Sequence, residues 1–294
     1  MASVLRRART VVLSSHEKVD ADGAGSALGL AAGLRTFGVS AVVALPSPLP
    51  ENLRFLPGAA ECVVAGPGTP LPATLDGADV FLSLDCGAAS RLGALRPLAE
   101  SCPAFVNVDH HASNEGFGNH RWVDESYAAV GVMAFELLCE LGAPLSLEVC
   151  LPLYTALVYD TGGFAFSNTD PRSHRMAAAC IGRGVRPEVV TAALHRSRSL
   201  DSWKFSAEAI ATLRTSPDGA VAWMTLTREM MGRHGLAEGR IPELVEIPVS
   251  LASTRIAFLL TEVEGAVRVS LRSRCPVGVQ EIAARHGGGG HARA

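Results

Sequence analysis

The sequence predicts an α/β protein: an N-terminal domain built on a parallel sheet with helices on both faces, then a smaller α+β domain. Three observations carry this expectation. Short apolar runs alternate with helical patterns over roughly the first two thirds of the chain, the rhythm of βαβ units. Three of those runs, Thr10–Ser15, Asp79–Leu84 and Pro103–Val108, are followed at once by acids or histidines, and strand C-termini are where open α/β sheets place their sites. Past a junction at residues 184–204 the texture changes, and 294 residues suit two domains.

Thr10–Ser15 is β-branched and apolar, so it reads as a buried strand. It runs into His16-Glu17-Lys18-Val19-Asp20-Ala21-Asp22, followed by a helix over Ser26–Phe37 that Gly38 stops. Ala41–Leu45 and Glu61–Ala65 predict two further strands, separated by a Pro-rich loop with a short helix near Asn52–Leu56. Asp79–Leu84 predicts a strand ending in Asp85-Cys86-Gly87, and Pro103–Val108 one ending in Asp109-His110-His111. A short strand at Arg121–Val123 follows. Helices are then expected over Tyr127–Leu141, Leu147–Tyr159, Pro171–Arg183 and Pro187–His195. Pro152 falls inside the second of these, where it predicts a kink or a later start. The domains are expected at 1–190 and 205–294, joined by a linker at 191–204. In the second domain, strands are expected at Val221–Leu226, Ile256–Leu260 and Val267–Leu271, the last two joined by a turn at Glu262–Gly265. A short helix at Gly278–Arg285 precedes Gly287-Gly288-Gly289-Gly290-His291.

Composition bounds the function. With 48% hydrophobic and 19% charged residues the chain has ample core material and is not disordered. Seven scattered cysteines without a Cys-x-x-Cys pair read as free thiols in a reducing cytosol, neither a disulfide framework nor a zinc site. The basic N-terminus is followed by no apolar h-region, and no run approaches the roughly 18 residues of a membrane span. A cytoplasmic protein without a membrane role is therefore expected. The net charge of −3 argues against a strongly basic nucleic-acid wrapper.

The residues with chemistry are His16, Asp20, Asp22, Asp85, His110 and Asp160, with Asp109 and His111 beside them. Helix capping accounts for one aspartate of the first turn, but not for two and a histidine. Four carboxylates brought together repel unless cations neutralise them. Carboxylate and imidazole without thiolate suit manganese, magnesium or iron. Six such ligands with one bridging aspartate suit two ions about 3.5–4 Å apart, the arrangement of two-metal hydrolases. No nucleophile elbow is present. The glycine run from Gly287 to Gly290 suits a backbone that approaches a phosphate closely, with His291 and Arg272 nearby.

With these motifs in this order, the chain resembles the DHH–DHHA1 phosphoesterase family, and within it the short bacterial NrnA-like oligoribonuclease/pAp-phosphatase group. The first motif is His16-x3-Asp20-x-Asp22, the second Asp85, the third Asp109-His110-His111 and the fourth Asp160; Gly288-Gly289-Gly290-His291 matches the glycine signature of the DHHA1 domain. The resemblance implies one Mn2+ (or Mg2+) held by His16, Asp20 and Asp85, and a second held by Asp22, Asp85, His110 and Asp160. It implies that His111 contacts the scissile phosphate and that Asp109 orients the histidines. Arg272, Gly288, Gly289, Gly290 and His291 would hold the nucleotide, and Asn114, in the polar loop past the third motif, is placed with them as substrate-binding. It further implies a homodimer and a substrate of very short RNA, with pAp dephosphorylation as a companion activity. Val19 and Ala165 depart from the family's usual proline and arginine. Hydrolysis of a cyclic dinucleotide or its linear product is the alternative, and a catalytically silent nucleotide sensor the reading from another class.

Overall fold

The computed structural model describes residues 1–66, 68–196, 199–236 and 244–289. By contacts the chain divides into two compact units, Met1–Ser197 and Arg198–Ala294.

The first unit opens with a helical turn, α1 (Ala2–Leu5), and then alternates strand and helix. Its first half holds β1 (Thr10–Ser14), α2 (Ala21–Arg35), β2 (Ser40–Leu45), β3 (Val63–Val64) and β4 (Val80–Leu84). Next come α3 (Arg96–Ser101), β5 (Ala104–Asp109) and β6 (His120–Val123). Four helices, α4 (Val130–Leu141), α5 (Leu147–Asp160), α6 (Pro171–Gly182) and α7 (Pro187–His195), complete it. Among the described residues the six strands form one sheet in the order β3-β2-β1-β4-β5-β6. Every pairing in it is parallel. All strands therefore end on one edge, and the strand order reverses between β1 and β4, the switch point at which such sheets place ligands.

Alternation along the strands builds a core on each face. Val11, Leu13, Leu82, Val106 and Val108 pack under α2, α4 and α5. Val12, Phe81 and Phe105 turn the other way, against Leu92, Leu95 and Ala99. The low aromatic share leaves the larger core aliphatic, and it closes through small residues. Helices α2 and α5 approach so closely that a Cβ on Gly25 would lie 2.4 Å from the Pro152 carbonyl oxygen. Gly25→Ala is expected to cost about 1–3 kcal/mol by overpacking. Because α2 and α5 carry Asp22 and Asp160, divalent-ion affinity should fall with it; thermal melts and calorimetric titration check both.

Several boundaries differ from expectation. Helix α2 starts at Ala21, not Ser26, because Asp20 caps it: Asp20 Oδ1 accepts from the N–H groups of Asp22 (3.0 Å) and Gly23 (3.1 Å). The glycines that suggested a loop are instead close-contact residues; a Cβ on Gly23 would meet Ser15 Oγ at 2.1 Å. Helix α4 starts at Val130 and not at Tyr127. Helix α5 runs through Pro152, which neither delays nor ends it. Most of the expected linker is helical: α7 reaches His195, and α8 (Leu200–Ala211) begins on a Ser199 cap to which the Ser202 N–H donates. Ser197 and Arg198 lie outside the described residues.

In the second unit, α8 precedes β7 (Arg214–Thr215), β8 (Val221–Leu226), α9 (Arg228–Arg233), α10 (Glu246–Val249), β9 (Ile256–Val263), β10 (Ala266–Ser273) and α11 (Gln280–Ala284). Among the described residues its sheet has four strands in the order β10-β9-β8-β7, with β8 and β9 parallel and the other pairs antiparallel. Phe205 and Ala209 of α8 pack on Met224, Leu226 and Leu259. The β9–β10 hairpin turns on Glu264-Gly265, where φ of +70° suits glycine. No helix among the described residues is long and apolar enough to cross a membrane.

Candidate metal centre

The four motifs converge at the C-terminal edge of the larger sheet. His16 lies two residues past β1, Asp85 directly past β4, and His110 and His111 directly past β5; Asp160 ends α5. Asp20 and Asp22 reach the same place from the start of α2. His16 and Asp85 thus flank the switch point.

Asp85 sits at the middle. Its Oδ2 is 3.6 Å from His16 Nε2, which is also 3.8 Å from Asp20 Oδ2. Its Oδ1 is 3.7 Å from His110 Nε2, which lies 3.8 Å from Asp22 Oδ2 and 3.2 Å from Asp160 Oδ2. The ligand atoms of His16, Asp20 and Asp85 lie within 4.8 Å of one another, as do those of Asp22, His110 and Asp160, and of Asp85, His110 and His111. One carboxylate therefore faces two clusters with different oxygens. Asp85 also has φ of +54°, a left-handed backbone that is strained for a side chain other than Gly, Asn or Asp.

The donor set fits divalent cations. Asp85 Oδ1 is buried without a hydrogen-bond partner among the described residues, which is costly unless a cation faces it. His110 Nδ1 lies 3.0 Å from the Tyr127 carbonyl and His16 Nδ1 lies 2.8 Å from the Glu17 carbonyl. Donating Nδ1–H to those carbonyls leaves the Nε2 lone pair of each ring toward the carboxylates, the usual support of a ligating imidazole.

Without a cation the site compensates its own charge. Burial, with Asp20, Asp22 and Asp160 around it, pushes Asp85 well above the ordinary carboxylate range. Burial and the Asp160 charge raise Asp22 to about 7. Burial alone would lower His110, but the hydrogen bond to Asp160 and the surrounding aspartates raise it to about 11. Asp20 is held below its ordinary value: burial works against this, and the His16 contact with the α2 cap amides outweighs it.

Two structural devices were not visible as such in the sequence. The first holds Asp22 from across the fold. Its Oδ2 accepts from the Val130 N–H (2.7 Å), and its Oδ1 from the Gly131 N–H (2.8 Å) and Ser26 Oγ (3.1 Å), so the N-terminus of α4 fixes an aspartate of α2. The second holds Asp109. It is fully buried; its Oδ1 accepts from His111 Nδ1 at 2.8 Å and its Oδ2 from Asn114 Nδ2 at 2.6 Å. Burial tends to raise Asp109, yet the His111 and Asn114 contacts keep it lowered. Asn114 Nδ2 also reaches Asn107 Oδ1 (2.9 Å) and the Cys86 carbonyl (3.2 Å). The structure thus places Asn114, expected among the substrate-binding residues, as a brace of the third motif.

The other expected substrate residues belong to the second unit. Arg272 Nε donates to Glu246 Oε1 at 2.9 Å. The Gly287 and Gly288 amides donate to the Ala284 and Ala283 carbonyls, closing α11 in a Schellman-type cap with φ of +75° at Gly287. The expectation of bare N–H groups at Gly288 is therefore corrected: its amide ends a helix. Gly289 follows this cap, and Gly290 and His291 lie outside the described residues.

Comparison with known proteins places the fold in a family. The family model described as the DHH family, N-terminal domain, matches residues 10–157. The bifunctional oligoribonuclease and PAP phosphatase NrnA of Thermus thermophilus is 32% identical over 283 residues, covering 96% of this chain and 81% of the relative. An exopolyphosphatase-related protein from Bacteroides fragilis superposes with a TM-score of 0.90 at 23% identity, over 99% of this chain and 87% of that one. RecJ from Thermus thermophilus, in complex with Mn2+, has a TM-score of 0.57 at 17% identity, over 99% of this chain and 50% of its own. On the family match and the Thermus relative together, the chain belongs to the DHH family.

Proposed function

We propose that the protein is a two-metal phosphodiesterase that hydrolyses short oligoribonucleotides to mononucleotides and removes the 3′-phosphate of pAp. The observation that carries this is Asp85, whose two oxygens face two separate clusters of ligand atoms. The substrate class follows the activities for which the Thermus relative is named, and manganese follows both the RecJ complex and the donor chemistry. His16, Asp20 and Asp85 hold one ion; Asp22, Asp85, His110 and Asp160 hold the other. When bound, a divalent pair supplies positive charge for the phosphoryl oxygens and acidifies the attacking water.

The chain's own residues do the rest. Asp109 fixes the tautomer and direction of the His111 ring, which meets the scissile phosphate and stabilises its developing charge. Arg272 and the segment from Gly289 to His291 hold the nucleotide, the protein acts in the cytoplasm, and it works as a homodimer. A substrate panel with Mn2+ tests the reading: a 5′-phosphorylated diribonucleotide, longer RNA, pAp, cyclic di-AMP and pyrophosphate. Release of mononucleotides from the dinucleotide and of phosphate from pAp is expected, both lost in EDTA. No product from the dinucleotide contradicts the reading, and cleavage of cyclic di-AMP alone replaces it.

A further inference from the structure

We propose that Arg91 is a substrate-phosphate ligand that the chain parks on His16 and releases when His16 takes up its ion. The inference rests on the two-metal reading above and adds a residue that none of the four motifs contains. His16 Nδ1 lies 2.8 Å from the Glu17 carbonyl and 2.8 Å from Arg91 Nη2. These two contacts make opposite demands. A carbonyl needs Nδ1 to carry a proton, whereas a guanidinium, which has donors only, needs Nδ1 to offer its lone pair. A neutral imidazole does one or the other. Ligation through Nε2, the nitrogen facing Asp20 and Asp85, uses that lone pair and so puts the ring proton on Nδ1. The Glu17 contact is then satisfied, and the guanidinium faces an N–H it has no use for.

The released side chain stays beside the site. The Arg91 carbonyl accepts the Glu17 N–H at 2.7 Å and its own N–H donates to Ala88, so the backbone is fixed next to the first motif. Arg91 is an exposed residue. Around it the cluster is acidic, and a planar guanidinium is the side chain best matched to a phosphate. Arg172 is already engaged: its Nε donates to Asp170 at 2.6 Å and its guanidinium lies 4.1 Å from the Tyr127 ring centroid. Arg91 differs in that its side-chain partner, His16, is one that ion binding takes away.

The test uses the full chain, Arg91→Ala and Arg91→Lys, with two calorimetric readouts. Mn2+ is titrated into the metal-free proteins, and 5′-AMP into each protein with and without Mn2+. Removing the parked guanidinium should tighten the first Mn2+ about 3–10-fold, the worth of one lost competing hydrogen bond. In the Mn2+-loaded state Arg91→Ala should bind AMP at least about 10-fold more weakly, with Arg91→Lys between the two. Without Mn2+, AMP binding should not depend on residue 91. Weaker Mn2+ binding in Arg91→Ala would make Arg91 a support of His16 and overturn the proposal, as would unchanged AMP affinity in the loaded variant. Wild type that hydrolyses the dinucleotide while the variants bind AMP equally sinks Arg91 alone. Wild type that neither hydrolyses it nor binds AMP sinks the two-metal reading and the proposal with it.

Discussion

Asp85→Asn is expected to abolish divalent-ion-dependent hydrolysis, by at least about a thousandfold, and at the same time to raise the melting temperature of the metal-free protein. The first effect follows from position: the Asp85 oxygens face both clusters, so asparagine removes a carboxylate charge that both share. Groups that only orient a metal ligand typically carry about 10–100-fold, and a carboxylate shared by two ions should carry more. The second effect follows from burial. Asp85 is 1% exposed, its Oδ1 lacks a hydrogen bond among the described residues, and three aspartates surround it, so the metal-free fold disfavours its ionised form. A carboxyl raised in the fold favours the folded state least where the unfolded chain is ionised. The gain from asparagine should therefore be slight near pH 4 and grow as the pH rises, reaching about 1–3 kcal/mol near neutrality. Asparagine also tolerates the left-handed backbone at this position. Melts in EDTA at pH 5 and pH 7.5, each repeated with Mn2+, read both effects. Wild type should gain stability from Mn2+, and Asp85→Asn should gain far less. A variant that melts below wild type in EDTA contradicts the charge argument.

Asp109→Asn separates orientation from ion binding. Asp109 accepts from His111 Nδ1 and from Asn114, and it is itself unexposed. An asparagine of the same shape offers His111 an amide in place of a carboxylate, so the ring loses its charged acceptor and the fixed tautomer. The expected result is a fall in kcat of about 10²–10³-fold with KM little changed and the same Mn2+ content per chain. Loss of Mn2+ from the variant would show Asp109 to be a ligand itself and would break the assignment of His111 as the phosphate-facing residue.

Much of this architecture is legible in the sequence because parallel strands announce themselves twice. Thr10–Ser14 and Val80–Leu84 are short, mostly apolar runs, and each delivers charged residues past the end where the sheet opens. His16, Asp20, Asp22, Asp85, His110 and Asp160 lie together although the sequence scatters them over 145 positions. What stays hidden depends on contacts between distant segments. The bond from the Val130 and Gly131 amides to Asp22 spans more than a hundred residues and involves backbone, which carries no residue-type signal. Asn114 misleads for a related reason: an exposed-looking polar loop residue proves to be folded back onto Asp109. The start of α2 is obscured because Gly23 and Gly25 count as helix breakers locally, whereas here they let the helix touch Ser15 and α5. At Gly288, a glycine run suited to a phosphate also suits a helix terminus, and sequence alone does not separate them.

If Asp85 joins two ions into one site, electron paramagnetic resonance of the protein loaded with two equivalents of Mn2+ should give a spin-coupled dimanganese spectrum, and Asp85→Ala should convert it into signals of isolated Mn2+. Two uncoupled ions in the wild-type protein, or a single ion per chain at saturation, would contradict it.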